Sequence, residues 1–80
     1  MPVFFFNVRG DGHIREEEEG IELEDLEAAR EEALASIREI LAEEVQAGRV
    51  VDLRRVFNVT DQAGMTVLSV PFAEAINLRS

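Results

Sequence analysis

The residues of this sequence that could do chemistry are one histidine, three serines and many carboxylates. His13 stands between Asp11 and the acidic run Glu16–Glu19, a grouping that invites a metal-binding or acid–base interpretation. A transition-metal site usually takes two or more nitrogen or sulfur ligands, and this chain has one histidine and no cysteine. The acidic run also lacks the alternating ligands and the closing glutamate of a calcium loop. We therefore expect an exposed hairpin histidine, a solvated acidic run and no metal site.

Nucleophilic catalysis has no visible machinery in the sequence. Ser36 falls within a predicted helix, Ser69 within a predicted strand, and Ser80 at the last position. None of them has the sequence context of a nucleophile elbow, and the single histidine is far from all three in sequence. Gly10 and Gly12 form too short a glycine motif for a phosphate-binding loop. We expect no catalytic residue and no cofactor, and hence a protein that is not an enzyme.

The charge balance limits the partners of the chain. The 80 residues include 17 acidic and 8 basic side chains, which gives a net charge of −9. Nucleic acids and anionic lipid surfaces attract positive charge, so neither is an expected partner, whereas a basic protein is a suitable one. The longest apolar run is Val3–Phe6, and no signal-peptide pattern opens the sequence. We therefore expect no membrane segment and a cytoplasmic location.

A long helix is predicted from Asp25 to Ala47. Asp25 can cap the N-terminus of this helix, and Gly48 supplies the left-handed residue that commonly follows a helix C-terminus. Apolar residues recur at spacings of three and four, as one buried helix face requires. They are Leu26, Ala29, Ala33, Ile37, Ile40, Leu41 and Val45, with Leu34 beside them.

A hairpin is predicted before this helix. Val3–Val8 is rich in residues that favour strands, and Gly10–Gly12 contains the glycines that a tight turn needs. His13–Arg15 then returns as a short second strand. Ile21–Leu23 alternates in polarity, and it either extends the hairpin or forms a separate short strand.

A second hairpin is predicted after the helix. Val50–Thr60 and Met65–Val70 are its strands, and Asp61–Gly64 is the turn between them. Pro71 ends the last strand, because it cannot donate a backbone hydrogen bond, and it begins a short helix that includes Phe72.

The predicted fold is α+β, with the order β-β-α-β-β and a short final helix, in a single domain of residues 1–80. Because both hairpins are local, we expect a small antiparallel sheet with the one long helix packed on one face. The residues expected in the core are Phe4, Phe6, Leu34, Ile37, Leu41, Phe57 and Leu68.

The order of the motifs resembles a known family. The opening Met1–Arg9, the segment Glu18–Leu23, the helix start Asp25–Ala33 and the segment Val67–Phe72 are similar to a family of short bacterial domains of unknown function, of rhizobial type. Glu24 stands where that family is expected to have proline. The resemblance implies a small bacterial cytoplasmic domain and brings no activity with it.

The three consecutive phenylalanines make both faces of the first strand apolar. If Phe4 and Phe6 face the helix, the alternation of a strand places Val3 and Phe5 on the reverse side. Either the segment Pro71–Leu78 folds over that side or a second subunit covers it, and we favour the second subunit. The candidate interface residues are Val3, Phe5, Val56, Phe72 and Ile76.

Two functions therefore stay open. The first is a non-enzymatic acidic module that self-associates as a homodimer or docks on another protein. The alternative is an antitoxin-like regulator that neutralises a basic partner protein, an analogy that depends only on the hairpin-then-helix order and the helix start.

Overall fold

The computed structural model describes residues 1–10, 13–16 and 20–76 of the chain. The predicted turn at Asp11 and Gly12, most of the acidic run and Leu78 lie outside these residues. The described elements, in chain order, are β1 (Val3–Gly10), β2 (His13–Glu16), β3 (Ile21–Glu22), α1 (Leu26–Gln46), β4 (Val56–Thr60), β5 (Thr66–Pro71) and a 3-10 turn (Phe72–Ala75).

The strands form an antiparallel sheet in the order β2-β1-β4-β5. The short strand β3 pairs with the start of β1, where Ile21 lies opposite Phe4, so Ile21–Glu22 is a separate strand. β1 is an interior strand because β2 and β4 pair with it on its two sides. The α+β prediction, with one long helix and a small antiparallel sheet, is confirmed.

The helix begins and ends where its capping residues predict. The Asp25 side chain accepts a hydrogen bond from the Ala28 backbone N–H at 2.9 Å, which satisfies one free donor of the first turn. The helix ends at Gln46, Ala47 caps it, and Gly48 follows with a φ of 69°. This left-handed conformation suits glycine, because a Cβ atom would be strained there.

The buried stripe of α1 is narrower than the sequence predicts. The buried residues of α1 are spaced four apart: Ala29, Ala33, Ile37 and Leu41. The two alanines let the helix lie close to the sheet. The sequence predicts Leu26 and Val45 in the same stripe, but they are 49% and 67% exposed. They belong to the first and last turns of α1, beyond the two ends of the stripe.

The strand predicted at Val50–Thr60 is only half its expected length, because Val56 is its first residue. Asp52 accepts a hydrogen bond from the Arg54 backbone N–H at 2.9 Å, a side-chain bond typical of turns. Arg55 Nε donates to the Asp52 carbonyl at 2.8 Å and closes the same segment. These local bonds hold residues 52–55 in a turn and leave Val51 exposed.

The second hairpin follows the prediction closely. Asp61 Oδ1 accepts from the backbone N–H groups of Ala63 and Met65, at 2.9 and 3.0 Å, and so shapes the turn Asp61–Gly64. β5 starts one residue later than predicted, at Thr66, and an irregularity in its pairing lies beside Thr60.

The core lies between α1 and one face of the sheet. Five of the seven predicted core residues are buried: Phe4, Phe6, Ile37, Leu41 and Phe57. Leu34 and Leu68 are only partly buried and pack at its margin. The remaining interior is filled by Val59, Val70 and Phe72, none of which exposes any surface. The Phe57 ring lies between those of Phe6 and Phe72, with ring centroids 5.6 and 6.4 Å away.

Candidate functional site

The five candidate interface residues are divided between the two sides of the sheet. Val3, Phe5 and Val56 are half-buried and alternate with core residues along β1 and β4, so they lie on the face opposite α1. Phe72 is fully buried in the core, and Ile76 packs against that core. Phe72 as an interface residue is therefore a wrong assignment, because the chain turns back after β5 and inserts this ring under the helix.

The segment after β5 covers the helix side of the sheet. Arg38 Nε on α1 donates to the Ala75 carbonyl at 3.0 Å, and Arg30 pairs with Glu74 at 2.7 Å. The 3-10 turn Phe72–Ala75 thus lies alongside α1. From Phe72 to Ile76, this segment does not fold over the opposite face.

We call the sheet face opposite α1 the reverse face. It has an apolar patch at one end, formed by Val3 and Phe5, and a mostly polar remainder. In that remainder the Ser69 hydroxyl donates to Asn58 Oδ1 at 2.8 Å. The other reverse-face residues, read from register and alternation, are Asn7, Val56, Thr60, Thr66 and Pro71.

Gly20 lies against the apolar patch of the reverse face. A Cβ atom at this position would be 2.2 Å from Val3 Cγ1 and 3.0 Å from Phe5 Cζ. Only a residue without a side chain fits such a close approach. Val3 and Phe5 are therefore partly covered by the backbone at Gly20, which explains why both are half-buried on a face without a helix.

A groove opens on the other side of the sheet, between the second half of α1 and β1. Its floor is formed by Phe6, Val8 and Phe57, and it has room for about 140 Å³. The α1 side of the groove is formed by residues spaced about one helical turn apart: Ser36, Glu39, Ile40 and Glu43. We call this feature the acidic groove. It exists because α1 packs mainly over β4, β5 and the 3-10 turn, which leaves part of β1 beside it uncovered.

A polar cluster around Arg55 joins the end of α1 to the start of β4. Arg55 donates two hydrogen bonds to the Glu44 carboxylate, at 2.8 and 2.5 Å, and its guanidinium lies 4.5 Å from the centre of the Phe72 ring. The hydrogen bonds from Arg55 hold the pKa of Glu44 below its ordinary value. Both side chains are engaged in holding elements together, so this cluster serves the fold.

The comparison with known families concerns nearly the whole chain. A family model described as a domain of unknown function, DUF6894, matches residues 3–73. The chain belongs to this family. No curated protein and no solved structure matches it.

The match to the DUF6894 family spans every element from β1 to the start of the 3-10 turn, and the family description names no activity. Both faces of the sheet therefore belong to the shared domain. The chemistry of this DUF6894 domain therefore depends on its own side chains.

The other sequence-based candidates contribute nothing further to a site in this DUF6894 domain. His13 and Glu16 lie in β2, and their side chains are outside the described ones, as are all atoms of residues 17–19. Among the described residues, no three His, Asp or Glu side chains are grouped so that they could hold a metal ion. Within the same residues, no helix is long and apolar enough to cross a membrane.

The acidic groove was missed by sequence reasoning, although one signal for it is present. Ser36, Glu39 and Glu43 repeat at helical spacing on the flank next to the buried stripe. This pattern places small and acidic residues at the border of the core. The pattern does not show which neighbouring strand that border faces.

Proposed function

We propose that this DUF6894 domain is a non-enzymatic protein-interaction module that forms a homodimer through its reverse face, in a bacterial cytoplasm. The observation that carries the proposal is the position of Phe5. It is the one phenylalanine of five that lies outside the buried core, on the face without a helix. A large apolar ring in such a place is a usual anchor of an interface.

The course of the chain after β5 supports the dimer over an intramolecular cover. Phe72 and Ala75 are buried on the helix side, and Arg38 and Arg30 tie the 3-10 turn to α1. These contacts direct the chain away from Val3 and Phe5. A second copy of the domain covers Val3 and Phe5 without any rearrangement of the chain. Symmetric dimers are also the commonest assemblies of soluble proteins.

Because β1 is paired on both sides, the dimer uses the face of this strand and not its edge. Val3 and Phe5 would form the centre of contact, and the polar residues around Asn58 its rim. Four neighbouring strands of about five residues each form a flat face of about 300–350 Å² per subunit, from the usual strand spacing and rise per residue. Stable interfaces bury about 800 Å² per partner, so we expect a weak dimer that forms as concentration rises.

Sedimentation of three serine variants tests this proposal. The wild-type mass should rise from 9.0 kDa toward twice that value with increasing concentration. Phe5→Ser should stay monomeric and melt cooperatively, whereas Phe6→Ser should lose about 3–5 kcal/mol of stability because Phe6 is core. Met65→Ser is the matched control: Met65 is exposed in the β4–β5 turn, and the variant should associate like the wild type.

Two results would contradict the dimer. One is a wild-type mass that stays at 9.0 kDa up to high micromolar concentration. The other is unfolding of Phe5→Ser, which would mean that Phe5 stabilises the monomer through its contact with Gly20.

A second candidate function is the antitoxin-like one, in which the domain binds and neutralises a basic protein. The observation that favours it is the division of charge on α1. Glu39 and Glu43 border the acidic groove, while Arg30 and Arg38 are engaged on the flank beside the 3-10 turn. Titration with a basic peptide separates this function from self-association, because dimer formation alone produces no peptide complex.

A further inference from the structure

We infer that the acidic groove is the docking site for a basic segment of another protein that carries one large apolar side chain between two cationic ones. This inference rests on the second candidate function, since it specifies where a basic partner would bind and by what chemistry. It is independent of the dimer, because the groove and the reverse face lie on opposite sides of the sheet.

The size of the acidic groove fits one apolar side chain. This groove has room for about 140 Å³, close to the roughly 150 Å³ that a benzene-sized group needs, but it is open to solvent and its surface is more polar than apolar. Its floor is preformed, because Phe6 and Phe57 are 3% and 4% exposed and their rings pack against each other. Val8 and Ile40 are only partly buried, so a docked leucine or phenylalanine would cover apolar surface that the domain leaves open.

The rim of the groove carries negative charge on one side. Glu39 and Glu43 are exposed and stand one helical turn apart, at a spacing where like charges repel. Among the described side chains, neither glutamate forms an ion pair. Of the chain's own cations, Arg15 lies opposite Val8 in the register of β1 and β2, and so on the groove side of the sheet. Two cations of a partner would remove this repulsion.

Charge and shape together select the class of partner. The apolar floor alone would accept any hydrophobic segment, and the glutamates alone would attract any cation. Their combination on one groove favours a segment in which arginine or lysine flanks a leucine or phenylalanine. A nucleic acid is unsuited to the site because its phosphates would meet Glu39 and Glu43.

Three synthetic peptides of equal length form the probe set. The first has one arginine on each side of a single leucine, the second has serine in place of that leucine, and the third has glutamines in place of the arginines. Titrations would be followed by heat and by backbone amide shifts of the labelled domain. Saturable binding of the first peptide alone, with shifts at Val8, Ser36 and Ile40, is the expected result.

Matched double variants locate the charge contacts. Glu39→Gln with Glu43→Gln should weaken binding of the first peptide about five- to tenfold at low salt, since each exposed ion pair contributes modestly. Glu27→Gln with Glu31→Gln is the control: both residues are exposed on α1 at the same spacing, and neither lines the groove. The control should change the affinity less than twofold.

A groove-filling variant tests the apolar contact. Ser36→Leu should place an apolar side chain over the floor, which would raise the melting temperature while abolishing binding of the first peptide. Ala35→Leu adds the same helix-forming residue at an exposed neighbouring position and should leave binding intact.

Three results would overturn the inference in distinguishable ways. If the serine peptide binds as well as the first, or if the Glu27 and Glu31 control weakens binding equally, the domain binds basic proteins but not through the acidic groove. If none of the peptides binds saturably, both the groove and the basic-partner function are wrong. In either case a wild-type dimer measured by sedimentation would still stand.

Discussion

Replacing Glu44 with glutamine removes the charged partner of a largely buried arginine. The side chains of Glu44 and Arg55 are 15% and 13% exposed, and two hydrogen bonds of 2.8 and 2.5 Å join them. In Glu44→Gln, Arg55 keeps the Asp52 carbonyl and the Phe72 ring, but it loses the negative charge of Glu44. The two charge-assisted hydrogen bonds are replaced by a weaker bond to a neutral amide oxygen, which destabilises the fold.

The size of this effect is large for a small domain. Losing a hydrogen-bonded charge partner costs about 1.5–3 kcal/mol, and a core of this size supplies on the order of 3–5 kcal/mol. A loss of about 2 kcal/mol lowers the melting temperature of such a domain by about 8–16 °C. Thermal and urea unfolding followed by circular dichroism measure both quantities.

The same pair predicts how the effect varies with pH. Hydrogen bonding to Arg55 lowers the pKa of Glu44 in the folded state below its ordinary 4.5. As the pH falls, Glu44 is therefore protonated in the unfolded chain before it is protonated in the folded one. The Glu44–Arg55 pair stabilises the fold above pH 4.5, and this contribution is lost as the pH falls through the lowered pKa. The stability difference between wild type and Glu44→Gln should be constant near neutral pH and shrink in acid.

Glu43→Gln is the control for this prediction. It makes the same chemical change one residue away, at an exposed position that has no ion pair among the described side chains. Its melting temperature should stay within about 2 °C of wild type. The account of Arg55 is refuted if Glu44→Gln also melts within that margin, or if both variants fall equally.

Two further predictions concern packing. Ile37→Ala should cost about 2–5 kcal/mol because Ile37 is fully buried, whereas Leu26→Ala should cost far less since Leu26 is 49% exposed; equal losses in urea titrations would mean that the assigned helix face is wrong. Gly20→Ala should cost about 1–3 kcal/mol through its collision with Val3 Cγ1, and adding Val3→Ala should recover part of that loss. Additive losses in this double-mutant cycle would show that the two residues do not touch.

The local signals of the sequence predict the helix and the second turn well. Asp25 and Gly48 mark the ends of α1 through their own capping chemistry, and Asp61 shapes its turn through bonds to nearby backbone groups. Such features depend on residues close in sequence, so they can be derived without knowing the rest of the fold.

The errors arise where side-chain hydrogen bonds and tertiary packing decide the outcome. The strand predicted from Val50 begins only at Val56, because bonds from Arg54 and Arg55 to Asp52 hold the preceding residues in a turn, which strand propensity does not show. The sequence does not predict the burial of Phe72, because that burial depends on the course of the chain after β5. The register of β5 with Phe57 and Val59 places both Leu68 and Val70 on the helix side, but Leu68 lies only at the margin of the core.

Of the candidate surfaces, the sequence predicts one and misses the other. The position of Phe5 opposite the helix follows from the alternation of a strand, which is a local property. The acidic groove depends on how far α1 is displaced across the sheet, and its displacement toward β5 is fixed by Phe72 and the 3-10 turn. No spacing within α1 encodes that displacement.

The most direct test of the proposed dimer is an isotope-filtered nuclear Overhauser measurement on an equal mixture of labelled and unlabelled protein. Only contacts between different copies give signals in this experiment. The account predicts cross-peaks from the Phe5 ring of one copy to reverse-face protons of the other, such as those of Val3 and Thr60. Cross-peaks confined to residues outside the reverse face, or no cross-peaks in a concentrated sample, would contradict it.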